Sequence, residues 1–179
     1  IMNEKTISSK TIFDGRLLKL ELLDVELENG IRSSREIVRH KGAVAILAQL
    51  PDERFVFVRQ FRKAIEKDLL EIVAGTLESG ENPVDCAKRE MKEETGFTCD
   101  ELKKLGVVYL TPGYSSEQTH LFYAGLLPEA KKATPEDDEN LDVVYVTAEQ
   151  LEEMISGGKI EDAKTLAAWM LYQKTRNDE

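Results

Sequence analysis

Three glutamates lie close together in a segment predicted to be helical, Glu90, Glu93 and Glu94. Because each helical residue advances by about 100°, the three side chains fall within a sector of about 100° on one face. Like charges at this spacing destabilise a helix by a few tenths of a kcal/mol per pair. A bound divalent cation would reverse that sign, and carboxylate oxygens suit Mg²⁺ or Mn²⁺. The alternative interpretation is a solvated acidic helix face.

The helix that would carry these carboxylates has clear start and stop signals. Asn82 is a suitable N-cap, Pro83 suits the first helical position, and Gly96 suits the left-handed position after the last turn. These residues predict a helix over about 83–95.

Strands are predicted on both sides of this helix. Residues 5–39 alternate apolar and polar positions around Asp14-Gly15 and Asn29-Gly30, which predicts a meander of two or three strands. The other predicted elements are strands at 43–48, 55–58, 69–73, 107–110, 120–126 and 141–146, a polar loop at 128–140, and helices at about 148–155 and 162–176. The order of elements indicates an α+β fold.

Composition limits the classes of function. A chain of 179 residues predicts one domain, 1–179. A formal net charge of -10 argues against a general nucleic-acid binder, and no apolar run is long enough to span a membrane. The two cysteines, Cys86 and Cys99, are too few for a disulfide framework, which favours a cytoplasmic protein. Neither histidine is expected to be catalytic.

The stretch from Gly75 to Phe97 resembles the Nudix box. The family pattern is Gly, five residues, Glu, seven residues, Arg-Glu, an apolar residue, any residue, Glu-Glu, any residue, Gly and an apolar residue. Every fixed position is matched in GTLESGENPVDCAKREMKEETGF. This pattern fixes many identities over 23 residues, so it is far more specific than a short glycine motif.

The resemblance implies a fold, a metal site and a reaction. The implied fold is a Nudix-type α/β/α sandwich with a mixed sheet at 41–179, preceded by an N-terminal antiparallel β unit at 1–40. The implied metal ligands, for two or three Mg²⁺ or Mn²⁺ ions, are the Ala74 carbonyl, Glu90, Glu93 and Glu94. Arg89 is expected to orient the carboxylates by ion pairing, and it is counted with Glu93 and Glu139 as catalytic. Glu81 is expected to fix the loop to the helix.

Residues outside the box resemble the ADP-ribose pyrophosphatase branch. The similar segments are Leu110–Glu117, 58–62, 70–75 and 35–39, so the resemblance covers nearly the whole chain. An ordinary Pro-Gly turn is the alternative for the first of these segments. The implied substrate-binding residues are Arg62 for the adenosine half, with Arg39, Arg35, Glu36, Glu117 and Gly113. Surface charge alone is the alternative for the charged members on the N-terminal strands.

The same branch implies a homodimer in which the N-terminal strands take part and both subunits line the nucleotide site. No tryptophan lies near Glu36 to stack on an adenine, and the spacing around Trp169 predicts a core position. The group that packs on the base stays open.

A base for the attacking water is expected from the acidic loop before the last strand. Glu139 matches best, with Asp137 in reserve, while a merely solvated loop is the alternative. The expected reaction is metal-dependent hydrolysis of the diphosphate bond of ADP-ribose to AMP and ribose 5-phosphate. The alternatives are a hydrolase of GDP-mannose, NADH or a related compound, a non-catalytic ADP-ribose sensor, and an acidic interaction module without a small ligand.

Overall fold

The computed structural model describes residues 3–128, 130–134 and 140–177. The chain divides into two compact units. The first comprises Ile1–Gly42 and Tyr109–Gln118, and the second comprises Ala43–Val108 and Thr119–Glu179.

The first unit is built on a three-stranded antiparallel sheet in the order β1-β2-β3, with β1 at Glu4–Asp14, β2 at Leu18–Leu27 and β3 at Arg32–His40. The meander predicted from the sequence is therefore present, with three strands. Gly30 has φ of 79°, a left-handed conformation that glycine adopts without strain, in the turn between β2 and β3. Every residue of β1 is exposed.

The loop that completes the first unit runs beside β3. The Val38 N–H donates to the Tyr114 carbonyl at 2.8 Å, and the Ser116 N–H donates to the Val38 carbonyl at 2.9 Å. The His40 N–H donates to Ser116 Oγ at 3.1 Å. Two of these bonds join backbone groups and the third uses the Ser116 hydroxyl, so the loop is fixed mainly through its backbone.

The second unit contains a mixed six-stranded sheet in the order β7-β8-β4-β6-β5-β9. Its strands are β4 (Ala43–Gln49), β5 (Phe55–Arg62), β6 (Lys67–Thr76), β7 (Leu102–Val108), β8 (Thr119–Gly125) and β9 (Leu141–Val146). Only β4 and β8 run parallel among the described strand pairs. The helices are α1 (Pro83–Thr95), α2 (Ala148–Ser156) and α3 (Ala163–Asn177).

The two faces of this sheet carry separate cores, because successive strand residues point to opposite faces. On one face α1 packs with buried residues that include Val44, Ile46, Val73, Cys86 and Met91. On the other face α2 and α3 pack with residues that include Leu47, Phe57, Ile72, Leu151 and Trp169. Helices on both faces of a mixed sheet match the α/β/α arrangement predicted for this part of the chain.

Trp169 lies in the second of these cores, as its spacing predicts. Its ring meets Phe55 edge-on at 5.4 Å between centroids and is 5% exposed. Its Nε1–H donates to Glu152 Oε1 at 2.6 Å, so the one polar atom of the indole ring has a partner on α2.

The strand predicted at 107–110 was wrong in its limits. The observed β7 begins five residues earlier and ends at Val108. Lys103 and Lys104 mask the strand pattern in the sequence, and the register with β8 shifts between Lys104 and Gly106. An extra residue at such a bulge breaks the two-residue alternation on which the prediction depended.

Among the described helices, none is long and apolar enough to cross a membrane.

Candidate active site

The helix α1 has the limits predicted from its caps. The Asn82 side chain accepts a hydrogen bond from the Val84 N–H at 2.8 Å, and Pro83 opens the helix. Gly96 ends it with φ of 74°, and its N–H donates to the Lys92 carbonyl. These caps fix where the helix starts and therefore which way its glutamates face.

The three glutamates of α1 differ in exposure. Glu90 is 8% exposed and Glu94 is 4% exposed, whereas the side chain of Glu93 is 36% exposed. Burial of two carboxylates one turn apart is costly unless cations or hydrogen-bond donors compensate. The solvated-face interpretation of this helix is therefore wrong for Glu90 and Glu94.

Arg89 lies among the carboxylates of the loop and the helix. Its Nε and Nη2 donate to the two carboxylate oxygens of Glu81 at 2.9 and 3.0 Å. Its Nη1 donates to Glu90 at 2.8 Å and to Glu93 at 3.0 Å. One guanidinium thus joins three carboxylates, two on the helix and one on the loop before it.

These ion pairs shift the acidity of both partners. The hydrogen bonds from Arg89 lower the pKa of Glu81 to about 2. The hydrogen bond to Glu81, the charge of Glu90 and the hydrogen bonds to Glu93 and Glu90 raise the pKa of Arg89. Both groups are therefore fully charged at neutral pH, and the loop is held to the helix by a permanent ion pair.

Gly75 is required by the position of Glu90. A Cβ atom at Gly75 would lie 1.9 Å from Cδ and 2.0 Å from Oε1 of Glu90. Any larger residue would push the carboxylate away. Glu90 therefore lies directly against the peptide that joins Ala74 to Gly75.

The donor set of this region fits a hard divalent cation. Three carboxylates and the Ala74 carbonyl are oxygen donors of the kind that Mg²⁺ and Mn²⁺ prefer. Within the described ranges, no three His, Cys, Asp or Glu side chains converge closely enough to enclose an ion as they stand. Nη1 of Arg89 lies between Glu90 and Glu93, so an ion shared by these two carboxylates would require the guanidinium to shift.

Arg62, the first candidate for substrate binding, is held at the end of β5 by a buried carboxylate. Its Nε and Nη2 donate to the two oxygens of Glu71, each at 2.7 Å. Lys164 donates to the same carboxylate, and Glu71 is 1% exposed. Burial raises the pKa of Glu71, but the bonds and charges of Arg62 and Lys164 outweigh it, so the pKa is lowered overall.

Glu71 and Lys164 were not predicted as members of the site. The sequence does contain a signal for Glu71, because this single acid interrupts the apolar run Leu69–Val73 of a central strand. A carboxylate in such a position must be buried and paired. Lys164 lies 93 residues further along and carries no comparable signal.

The candidates on β3 make ion pairs inside the N-terminal sheet. Arg35 donates to both oxygens of Glu4, at 2.6 and 3.0 Å, and Arg39 donates to Glu21 at 2.9 Å. Glu36 is exposed. The ion pairs give the surface-charge interpretation of both arginines direct support.

Gly113 and Glu117 belong to the loop beside β3. A Cβ atom at Gly113 would meet no atom within 4 Å, so steric crowding does not account for this glycine. Glu117 is half-buried, and its N–H donates to Ser115 Oγ at 3.2 Å. The candidate base Glu139 and its reserve Asp137 lie outside the described residues.

Neither cysteine thiol is acidic enough to act as a nucleophile at neutral pH. Burial raises the pKa of Cys86 to about 12 and also raises that of Cys99. A thiol with such a pKa carries almost no thiolate at neutral pH.

The site thus combines a helix face with two buried glutamates, an arginine bonded to Glu90 and Glu93, and a glycine at a strand end. Residues 39–169 match the NUDIX domain family, so the chain belongs to this family. The resemblance inferred from residues 75–97 is thereby confirmed.

Sequence similarity to two Bacillus proteins covers nearly the whole chain. It is 42% identical to ADP-ribose pyrophosphatase of Bacillus subtilis (strain 168) over 173 residues, 96% of this chain and 94% of the relative. It is 43% identical to methanol dehydrogenase activator of Bacillus methanolicus over 174 residues, 97% and 94% of the two chains. GDP-mannose pyrophosphatase of Enterobacter sp. (strain 638) is 36% identical over 155 residues, 80% of each chain.

A solved structure described as ADP compounds hydrolase shares the fold. It has a TM-score of 0.83 and 24% sequence identity, and the match covers 98% of this chain and 95% of that one. The predicted sandwich with an N-terminal antiparallel unit is confirmed. The resemblance to the ADP-ribose pyrophosphatase branch is confirmed by the Bacillus subtilis relative.

Proposed function

We propose that this protein is a Nudix hydrolase that splits the diphosphate bond of ADP-ribose into AMP and ribose 5-phosphate. The observation that carries the proposal is the buried pair Glu90 and Glu94, with Arg89 bound to the first and Gly75 beside it. Two buried carboxylates on one helix face are expensive for stability alone, and a divalent cation would compensate them. The identity with ADP-ribose pyrophosphatase supports the choice of substrate.

The metal would be held by the Ala74 carbonyl, Glu90, Glu93 and Glu94, and the bound Mg²⁺ or Mn²⁺ ions number two or three. When bound, they neutralise diphosphate charge and lower the pKa of a coordinated water. Arg89 holds Glu90 and Glu93 in place and ties them to Glu81.

The substrate-binding candidates are proposed for each unit by itself. Arg62 is the candidate in the second unit, and its side chain is 40% exposed despite its bond to Glu71. The first unit contributes the weaker candidates, Arg35, Glu36, Arg39, Gly113 and Glu117. Glu139, or Asp137 in its place, would accept the proton of the attacking water.

A homodimer is part of the proposal. The first unit exposes β1 along its whole length, including Ile7, Ile12 and Phe13, and β1 is an edge strand of its sheet. An exposed edge strand with apolar side chains is a surface that pairs readily with another chain. A second copy of this chain is the proposed partner. The small number of cysteines supports a cytoplasmic setting.

The deciding experiment tests several substrates in parallel with Mg²⁺: ADP-ribose, GDP-mannose, NADH and a diadenosine polyphosphate. We expect AMP and ribose 5-phosphate from ADP-ribose as the dominant products by chromatography, and none after EDTA is added. If GDP-mannose alone is cleaved, and only with metal, the proposed reaction type stands but the proposed substrate is wrong. The 36% identity with a GDP-mannose pyrophosphatase is the reason to include this compound. If the protein binds ADP-ribose and cleaves none of the compounds, the proposed function changes from hydrolase to non-catalytic ADP-ribose sensor.

A second candidate function is activation of another enzyme, favoured by the 43% identity with a methanol dehydrogenase activator. The test adds the protein to a methanol dehydrogenase and measures the rate of methanol oxidation. Parallel reactions with Glu94→Gln show whether any activation requires the carboxylates of α1. An unchanged oxidation rate with the native protein would remove this candidate.

A further inference from the structure

A set of charged and hydroxyl side chains lies between β5, β6 and the first turn of α3. We call it the Glu71 cluster, and its members are Arg62, Glu71, Asp162, Lys164 and Thr165. Arg62 and Lys164 both donate to the Glu71 carboxylate, and Lys164 also donates to Asp162 Oδ1 at 2.9 Å. The two cations and two anions balance, and Lys164 is itself only 8% exposed.

Thr165 connects this cluster to the backbone of β6. Its Oγ1 accepts a hydrogen bond from the Ile72 N–H at 3.0 Å and donates to Asp162 Oδ2 at 2.6 Å. Strand β6 pairs with β5 up to Ile72 and with β4 from Val73 onward. The start of α3 is therefore bonded to β6 where the strand changes neighbour, two residues before Ala74.

Within the Glu71 cluster, Glu71 itself lies on the face of β6 against which α1 packs, because it alternates with Ile72 and matches Val73. Glu71 and Gly75 are four residues apart on one strand, so their side-chain positions share a face and lie about 13 Å apart. Gly75 is the residue against which Glu90 packs. The bond to Glu71 is the main reason why the pKa of Arg62 is raised, and the charge of Glu94 adds to it.

One edge of the Arg62 guanidinium is available to a ligand, because the bonds to Glu71 use the other edge. Glu71 takes up Nε and Nη2, whereas Nη1 makes no hydrogen bond within the described part of the chain. A guanidinium held by two bonds on one edge has a fixed plane, so its other edge is presented in one direction. That direction depends on the Glu71 carboxylate, and the carboxylate depends on Lys164.

We propose that Lys164 and Asp162 are positioning residues that act through Glu71 to orient Arg62 for the substrate. The inference rests on the proposed function, because it takes Arg62 to contact the substrate. Loss of Lys164 leaves Glu71 with one cation instead of two and leaves Asp162 without its lysine. Arg62 then shifts to compensate the two carboxylates and turns away from the ligand.

The competing account is that the cluster only docks α3 onto the sheet, and a double-mutant cycle separates the two. KM and kcat for ADP-ribose with Mg²⁺ are measured for the native protein, Lys164→Met, Arg62→Ala and the double variant. We expect Lys164→Met to raise KM about tenfold, with kcat changed much less. In the Arg62→Ala background the same substitution is expected to change KM less than about twofold, because the residue that it positions is gone.

The controls separate positioning from folding. Lys164→Arg keeps the cation and is expected to restore most of the native KM. Lys67→Met removes an exposed cation of β6 that pairs with Glu161, and KM is expected to stay at the native value. Denaturant unfolding of each variant identifies any that is unfolded under assay conditions. If Lys164→Met does not fold, Asp162→Asn is taken through the same cycle with a smaller shift expected.

The outcomes distinguish this inference from the proposed function. A native enzyme that cleaves ADP-ribose, with an unchanged KM in folded Lys164→Met, overturns the inference alone. An equal KM shift with and without Arg62 also overturns it. A native protein that neither cleaves nor binds any of the four test compounds overturns the proposed function and the inference together. If another of those compounds is the substrate, the cycle is run with it under the same criteria.

Discussion

At the scale of single residues, the Glu90 carboxylate is held by an ion pair with an arginine and lies against a glycine, which has no side chain to displace it. Arg89 contributes the charge, and Gly75 leaves the space. Both belong to the sequence pattern, and the structure assigns a separate physical task to each.

Substitution of a buried carboxylate tests the metal proposal. Glu94→Gln keeps the size of the side chain and removes its charge, so we expect turnover to fall by orders of magnitude with little loss of folding. Asp85→Asn is the matched control, because Asp85 is an exposed acid on the first turn of the same helix. The measurement is the turnover rate of each variant at saturating Mg²⁺. If Glu94→Gln turns over as fast as the native protein, the assignment of Glu94 as a metal ligand is contradicted.

Substitution of Gly75 tests the space that Glu90 needs. The new methyl group in Gly75→Ala would lie about where the Glu90 carboxylate is, so the carboxylate must move. We expect a loss of activity of at least about tenfold and destabilisation of about 1–3 kcal/mol, typical of overpacking. Gly125→Ala is the control, since a Cβ atom there meets no atom within 4 Å. Native activity in Gly75→Ala would mean that Glu90 has no fixed place in the reaction.

At the scale of elements, the connection between α1 and the loop at 77–82 that precedes it depends on Glu81 and Arg89. Arg89 lowers the pKa of folded Glu81 to about 2, below the value of about 4.3 in an unfolded chain. The stabilisation is therefore complete above about pH 4.3 and is lost as the pH falls toward 2.

The variant Glu81→Gln lacks this titration. We expect its free energy of unfolding to fall less than that of the native protein between about pH 5 and pH 3. Urea unfolding at both pH values measures the difference. Glu66→Gln, which removes an exposed ion pair with Lys63, should follow the native pH dependence. Equal pH dependence in native protein and Glu81→Gln would refute the ion pair as a stabilising link.

Elements with local signals were predictable and those set by distant contacts were not. The helix at 83–95 is fixed by Asn82, Pro83 and Gly96, which act through neighbouring backbone groups. The limits of β7 depend on pairing with β8 and on a bulge, which no nearby residue announces. The same distinction holds for the site, because Arg89 meets partners within 13 residues whereas Glu71 meets Lys164 across 93.

At the scale of the whole molecule, the proposed homodimer can be tested at the exposed strand β1. Ile12→Glu places a charge on this strand, where half of the isoleucine surface is exposed. We expect the mass in solution by sedimentation to fall from that of two chains to that of one. Met170→Glu, at an exposed apolar position on α3, should keep the native mass. A native protein that sediments as a single chain contradicts the homodimer outright.

The single tryptophan provides an optical reporter for one of the two compact units. Trp169 belongs to α3 and lies in the core between this helix and the six-stranded sheet, and the first unit contains no tryptophan. Selective excitation of its fluorescence therefore follows the melting of the six-stranded sheet and its helices, while circular dichroism also registers the three-stranded sheet. If the two signals change at different denaturant concentrations, the protein melts in two stages, and the N-terminal sheet has its own stability.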